Sequence, residues 1–263
     1  VTLFIKGNLD VKDTLHSLTV DGTVVWNGIN AILRKTHPGT VARLRHETWT
    51  RSDALLEATG IVPADLSDRD LPFGAYPLAT QFSDALFKTD ADAIILSLQP
   101  DITNLLVRHR RRSYLLYPGQ REEWSAADQS WARRDFTGPE LLDVETSMHN
   151  FAAIVARIRL RCDAPILVYN LSSVIPGDLV HCHEGLGEIF STRIKRFNLG
   201  VAELSQRTGI SVIDVDRIVA CGGADHLKLD AVHLSGPGCR QVAAEVVRVL
   251  DDLGVLPPAG SAS

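Results

Sequence analysis

Asp230 and His233 stand three residues apart in the segment DAVHLSGPG, close to the carboxyl end of the chain. A carboxylate accepts hydrogen bonds, and a neutral imidazole donates at one ring nitrogen while accepting at the other. Paired, the carboxylate fixes the imidazole tautomer and stabilises the imidazolium, which leaves the second nitrogen as a general base. A short loop brings both side chains to one crevice. The segment follows the apolar run ISVI at 210–213 and the glycine-rich stretch Cys221-Gly222-Gly223, and it precedes a closing helix. In an open parallel sheet, the loops at the carboxyl ends of the strands line the crevice. Taken alone, Asp-x-x-His is also an ordinary polar loop ahead of a helix.

Other groupings invite weaker chemistry. His181-Cys182-His183-Glu184 places two histidines on one side of an extended segment. A zinc site would need a third protein ligand, so a polar loop is the preferred reading and no metal or cofactor is expected. Asn170 and Ser172 follow the strand-like run PILVY at 165–169 and either contact substrate or cap a turn. His46 ends another such run and lies nearer to the crevice. His149-Asn150 reads as a satisfied helical pair, and Arg193 and Arg196 read as solvated helix surface.

These residues need a scaffold. Apolar runs at 2–6 (TLFIK), 41–45, 93–98 (AIILSL), 165–169 and 210–213 have the length of buried strands. Amphipathic helical patterns lie between most of them, notably 141–161, 189–207 and a last helix following Ser235-Gly236-Pro237-Gly238. Alternation of this kind predicts a three-layer α/β/α sandwich around about five parallel strands. The stretch 105–139, with Trp124 and Trp131, reads as an excursion that forms either a substrate wall or a structural loop with aromatic anchors. The pattern predicts one domain over 1–256 and a flexible tail over 257–263.

Composition narrows the function. The 263 residues are 45% hydrophobic and 22% charged, with net charge −5. This suits a globular protein with a sizeable core, and nothing in it favours nucleic acid. The basic run 108–112 (RHRRR) reads as solvated surface. Cys162, Cys182, Cys221 and Cys239 form no Cys-x-x-Cys pair and read as reduced thiols. No apolar run is long enough to span a bilayer, and VTLFIKG lacks signal-peptide features. The expectation is a cytoplasmic protein without a membrane partner. Its oligomeric state is left open.

The stretch from Arg193 to Leu250 resembles the carboxyl-terminal portion of the SGNH (GDSL-type) hydrolases. The shared order is an amphipathic helix, the strand GISVIDVD, a glycine-containing loop, DAVHLSGPG and a closing helix. The resemblance implies a flavodoxin-like sheet, with Asp230 and His233 as the partners of a serine nucleophile on an ester, thioester or amide. The first strand, Gly7 and the following helix are similar to the family's opening in shape. The Gly-Asn opening also resembles that of the glyceryl-transferring proteins of polyketide assembly lines. That likeness implies acyl transfer on small or carrier-bound acyl substrates, in secondary metabolism.

Three family blocks depart. The nucleophile segment reads Gly7-Asn8-Leu9-Asp10, with Leu9 in the serine position. Gln99-Pro100-Asp101 puts a proline where an oxyanion-hole asparagine is expected, and proline has no N–H to donate. The second-block glycine is missing beside His46-Glu47-Thr48-Trp49. Acyl transfer through the protein needs an activated nucleophile and oxyanion donors. Three routes stay open. His233 activates a group of the substrate or a water; a displaced nucleophile serves (Ser97, Thr14, Ser17 or Asp10); or the chain is a non-catalytic module that binds a ligand or an acyl-carrier partner. Asn8, Asp10, Ser97, Gln99 and Asn170 are the candidate substrate or oxyanion pocket.

Overall fold

A computed structural model describes residues 1–176 and 188–258. They form two compact units. The first comprises residues 1–46 and 90–99 and the described residues from 163 onward; the second comprises 47–89 and 100–162. The HCHE segment at 181–184 and the end of the tail, 259–263, lie outside the described residues.

The first unit runs β1 (Thr2–Lys6), α1 (Leu9–Leu15), β2 (Ser17–Val20), β3 (Thr23–Asn27), α2 (Asn30–Thr36), β4 (Arg43–Glu47) and β5 (Ala93–Ser97). It continues with β6 (Ile166–Tyr169), α3 (Phe190–Thr208), β7 (Ser211–Ile213), α4 (Val215–Gly222), α5 (Ala224–Leu227) and α6 (Gly236–Asp252). The sheet order is β4-β1-β5-β6-β7. It is the expected parallel α/β/α arrangement. Every residue of β5 and β6 is buried, which explains their unbroken aliphatic runs: a strand covered on both faces has no polar side to alternate with. Edge strand β4 (RLRHE) carries charges instead, which discourage pairing with another chain.

Register sets the site. Lys6 pairs with Leu96, Ser97 with Tyr169, and Tyr169 with Ile213. The carboxyl ends therefore align, and Gly7, Leu98, Asn170 and Asp214 all leave the sheet from one edge.

Helix α6 packs on α1, α2, β7 and the β2–β3 hairpin. Its buried stripe is Val242, Ala243, Val246, Val247 and Leu250. It begins at Gly236, earlier than expected, because the Ser235 hydroxyl caps the Gly238 N–H and Pro237 fits the first turn. Val215–Gly222 is helical, so the expected loop at Cys221-Gly222 shrinks to Gly223, which has positive φ. The β2–β3 hairpin was not anticipated.

The second unit contains helices Ser52–Glu57, Ala126–Asp135 and Val144–Arg159 and a short hairpin that pairs Val107–Arg108 with Leu115–Leu116. Trp124, Trp131 and Phe136 share a core with Phe73 and Phe82. Trp131 meets Phe136 edge-on at 5.1 Å. The 105–139 stretch thus uses its aromatics as structural anchors. Arg108 and Arg112 pair with Glu57 and Asp65, while His109 is buried. No helix among the described residues is long and apolar enough to cross a membrane.

Gly238 admits no side chain, since an added Cβ would lie 2.2 Å from the Leu227 carbonyl oxygen. Gly238→Ala is expected to cost about 2 kcal/mol, read in thermal unfolding as a fall of about 4–8 °C.

Candidate active site

The turn that carries Asp230 is pinned at its base. Leu229 N–H donates to the His233 carbonyl at 2.9 Å, and Ser235 N–H donates to the Leu227 carbonyl at 2.9 Å. Asp230 Oδ1 accepts the backbone N–H groups of Val232 and His233, both at 2.8 Å. Its Oδ2 lies 2.7 Å from His233 Nδ1. A carboxylate only accepts, so Nδ1 carries the proton and Nε2 of the neutral ring keeps its lone pair. Burial would raise the Asp230 pKa, but the two backbone donors and the His233 ring together hold it below the usual range. The imidazole is 34% exposed.

Asp13 on α1 is electrostatically coupled to His233; burial raises the Asp13 pKa, with Lys12 and His233 acting in the opposite sense. Leu9 precedes Asp13 by four residues and so shares its helix face. Leu9 is 41% exposed.

No protein-family model and no curated protein matches the sequence. Solved structures do match over nearly the whole chain. A lipase/acylhydrolase from Enterococcus faecalis aligns with TM-score 0.52 and 13% identity over 98% of this chain and 97% of its own. The acetyl xylan esterase AlAXEase aligns with TM-score 0.52 and 12% identity, over 95% and 100%. LAE5, an alpha/beta hydrolase enzyme from the metagenome of Lake Arreo, Spain, aligns with TM-score 0.51 and 14% identity, over 97% and 96%. The fold is that of the SGNH hydrolases.

Leu9, which the sequence resemblance puts in the serine position, lies on the α1 face shared with Asp13. The four candidates for a displaced nucleophile are placed elsewhere. Ser97 is fully buried; its hydroxyl donates to Asp10 Oδ2 at 2.6 Å and accepts the Gln99 N–H at 3.0 Å. Thr14 is buried, with its hydroxyl on the Asp10 and Val11 carbonyls and 3.2 Å from the Tyr169 hydroxyl. Ser17 is exposed on the hairpin. Asp10 is buried with Ser97. None of them hydrogen-bonds to His233.

Of the five expected pocket residues, Asn8, Asp10 and Ser97 gather where β1 and β5 end. Asn8 Oδ1 and Asp10 Oδ1 are buried without a hydrogen-bond partner. Asn170 is engaged in structure: its amide donates to Asp214 at 2.8 Å and accepts the Asp216 N–H at 3.1 Å. Gln99 is half-buried in helix Gln99–Thr103. Pro100 takes the second position of that helix, where its missing N–H costs nothing.

His46 Nε2 donates to the Gly7 carbonyl at 2.9 Å, and the ring lies 5.3 Å from that of His16. Burial lowers the pKa of both histidines. Arg193 departs from expectation: it is buried, paired with Glu188 and stacked on Phe197, because its helix position faces the core. Arg196 is exposed, as expected. Asn150 is buried and donates to Ser52 at 3.1 Å, whereas His149 is exposed. Cys162, Cys221 and Cys239 are free thiols, and burial pushes Cys239 up to about 12, which leaves it unreactive. Among the described residues, no group of three or more His, Cys, Asp or Glu side chains is arranged to hold a metal ion.

Sequence reasoning missed two features. Lys228 is buried under the Asp230 turn, and nothing in its spacing marks it. Asp101 forms a buried knot in the second unit, accepting from Ser52 N at 2.7 Å and from the Ser147 hydroxyl at 2.6 Å.

Burial raises Asp10 to about 6 despite the hydrogen bond from Ser97, and raises Asp101 likewise to about 6. For a raised acid, the folded state binds more protons than the unfolded one between the two pKa values. Stability is then full below about 4 and declines as pH rises to about 6. Each carboxyl accounts for about 3 kcal/mol of that decline. Asp10→Asn is expected to remove its own contribution, so that unfolding free energy falls less between pH 4 and 7 than in the wild type; an unchanged slope would contradict the assignment.

Proposed function

We propose that this protein is a hydrolase or acyl-transferring enzyme of the SGNH fold that acts on an ester, thioester or amide. His233, oriented by Asp230, is the general base. It takes a proton from a water or from a hydroxyl or amine of the substrate, because the position that supplies a serine is Leu9. The observation that carries this reading is the 2.7 Å contact from His233 Nδ1 to Asp230 Oδ2, which commits Nδ1 and frees Nε2 on a partly exposed ring. The solved structures named as esterase and lipase support hydrolytic chemistry of this class. A small or carrier-bound acyl substrate suits it, and the short Gly-Asn likeness suggests secondary metabolism as the setting.

A second reading is a binding module without turnover, favoured by Leu9 and Pro100 in the catalytic blocks. A panel of acyl esters and thioesters separates the two. Under the first reading, His233→Ala lowers kcat/KM by about 10²–10⁴-fold with the circular dichroism spectrum unchanged. Full activity in that variant, on a substrate the wild type turns over, would remove His233 from the mechanism.

A fluorophosphonate probe checks the nucleophile. The wild type is expected to remain unlabelled, and Leu9→Ser is expected to gain labelling that His233→Ala abolishes. Labelling of one Ser or Thr in the wild type would instead identify a displaced nucleophile.

A further inference from the structure

Lys228 is 5% exposed. An ammonium taken out of water is costly unless its protons find acceptors. Here it has three backbone carbonyls: Val174 at 2.8 Å, Ala231 at 2.8 Å and, more distantly, Ser172 at 3.5 Å. Ala231 lies inside the Asp230–His233 turn. Ser172 and Val174 belong to the loop after β6.

That loop is a firm anchor. The Ser173 N–H and hydroxyl donate to Asp216 Oδ1 at 2.7 and 3.0 Å, and the Asn198 amide donates to the Leu171 carbonyl at 2.7 Å. One side chain therefore joins a braced loop to the turn that aims the imidazole. Without it, the turn retains its internal hydrogen bonds but loses its side-chain tie to the loop after β6.

We propose that Lys228 is a positioning residue, which fixes His233 in a single tautomer by tying the 230–233 turn to the loop after β6. This rests on reading His233 as the base. The amine itself is not poised to react, since its hydrogens are already directed at carbonyls. The charged groups facing it are Asp230 on the same turn and Asp216 at the start of α4; burial outweighs both and pulls Lys228 down to about 8. A neutral amine keeps two N–H donors, enough for the two short bonds. The tie therefore outlasts deprotonation.

The test reads the His233 ring nitrogens by long-range ¹H–¹⁵N correlation, under alkaline conditions that keep imidazoles neutral. The His233→Ala spectrum assigns the signals. The wild type is expected to show the Nδ1–H tautomer alone. In Lys228→Met, with circular dichroism unchanged, the Nε2–H tautomer is expected to rise to roughly a third of the population or more, because the Asp230 contact is no longer enforced. Lys228→Arg, which keeps N–H donors, is expected to restore the single tautomer.

If Lys228→Met does not fold, Lys228→Gln replaces it. Its amide is one bond too short for Val174, so mixing is again expected. A single tautomer in whichever of these two variants folds would overturn the proposal. A buried lysine that served stability alone would lower the melting temperature and leave the tautomer unmoved. Tautomer mixing with full activity in His233→Ala would overturn the base and leave the tie standing. Loss of activity in His233→Ala with an unmixed tautomer in the Lys228 variants would do the reverse.

Discussion

The Asp230 carboxylate receives three N–H groups, two from the backbone of Val232 and His233 and one from the His233 ring. The backbone donors set the carboxylate's plane, and the ring Nδ1–H donates to its second oxygen. A neutral imidazole held at Nδ1 exposes a basic Nε2, and a partly exposed ring lets that atom meet another molecule. Much of the first unit serves this contact. The aligned strand ends bring the loops to one edge, Gly238 lets α6 approach the Leu227 carbonyl, and the Ser235 cap starts α6 directly behind the turn. At these exposures the pair adds little to stability. Its worth lies in orientation.

Where the resemblance expects a serine, the sequence has an apolar residue. Leu9 shares a helix face with Asp13, which is electrostatically coupled to His233. Two of the hydroxyls that sequence alone allowed as substitutes serve structure. Thr14 is spent on the turn of α1, and Ser97 on a buried carboxyl. Under the proposed function, the proton that His233 removes belongs to the substrate or to water, which makes substrate placement the decisive variable. Under that proposal no covalent intermediate holds the reacting groups together, so the positioning proposed for Lys228 matters more.

The strands were legible because a buried parallel strand leaves a continuous aliphatic run: AIILS and ILVY announce themselves. The helix at Phe190–Thr208 was legible within a residue or so from its periodicity. Asp230 and His233 were found because their partnership is local. The unread features depend on distant contacts. Nothing near Lys228 reveals that Val174 lies above it. Arg193 looks like surface until Glu188 and Phe197 enclose it. The β2–β3 hairpin carries exposed valines instead of clean alternation, and the helix at Ala126–Asp135 is too polar to show a stripe until Trp131 finds Phe136.

The most direct test of the account is a crystal structure with a substrate, product or unreactive analogue bound. The account predicts a hydroxyl, amine or water within about 3 Å of His233 Nε2, with the Nδ1–Asp230 contact retained. A ligand seated with its reacting group away from Nε2, or on a side chain other than His233, would contradict it.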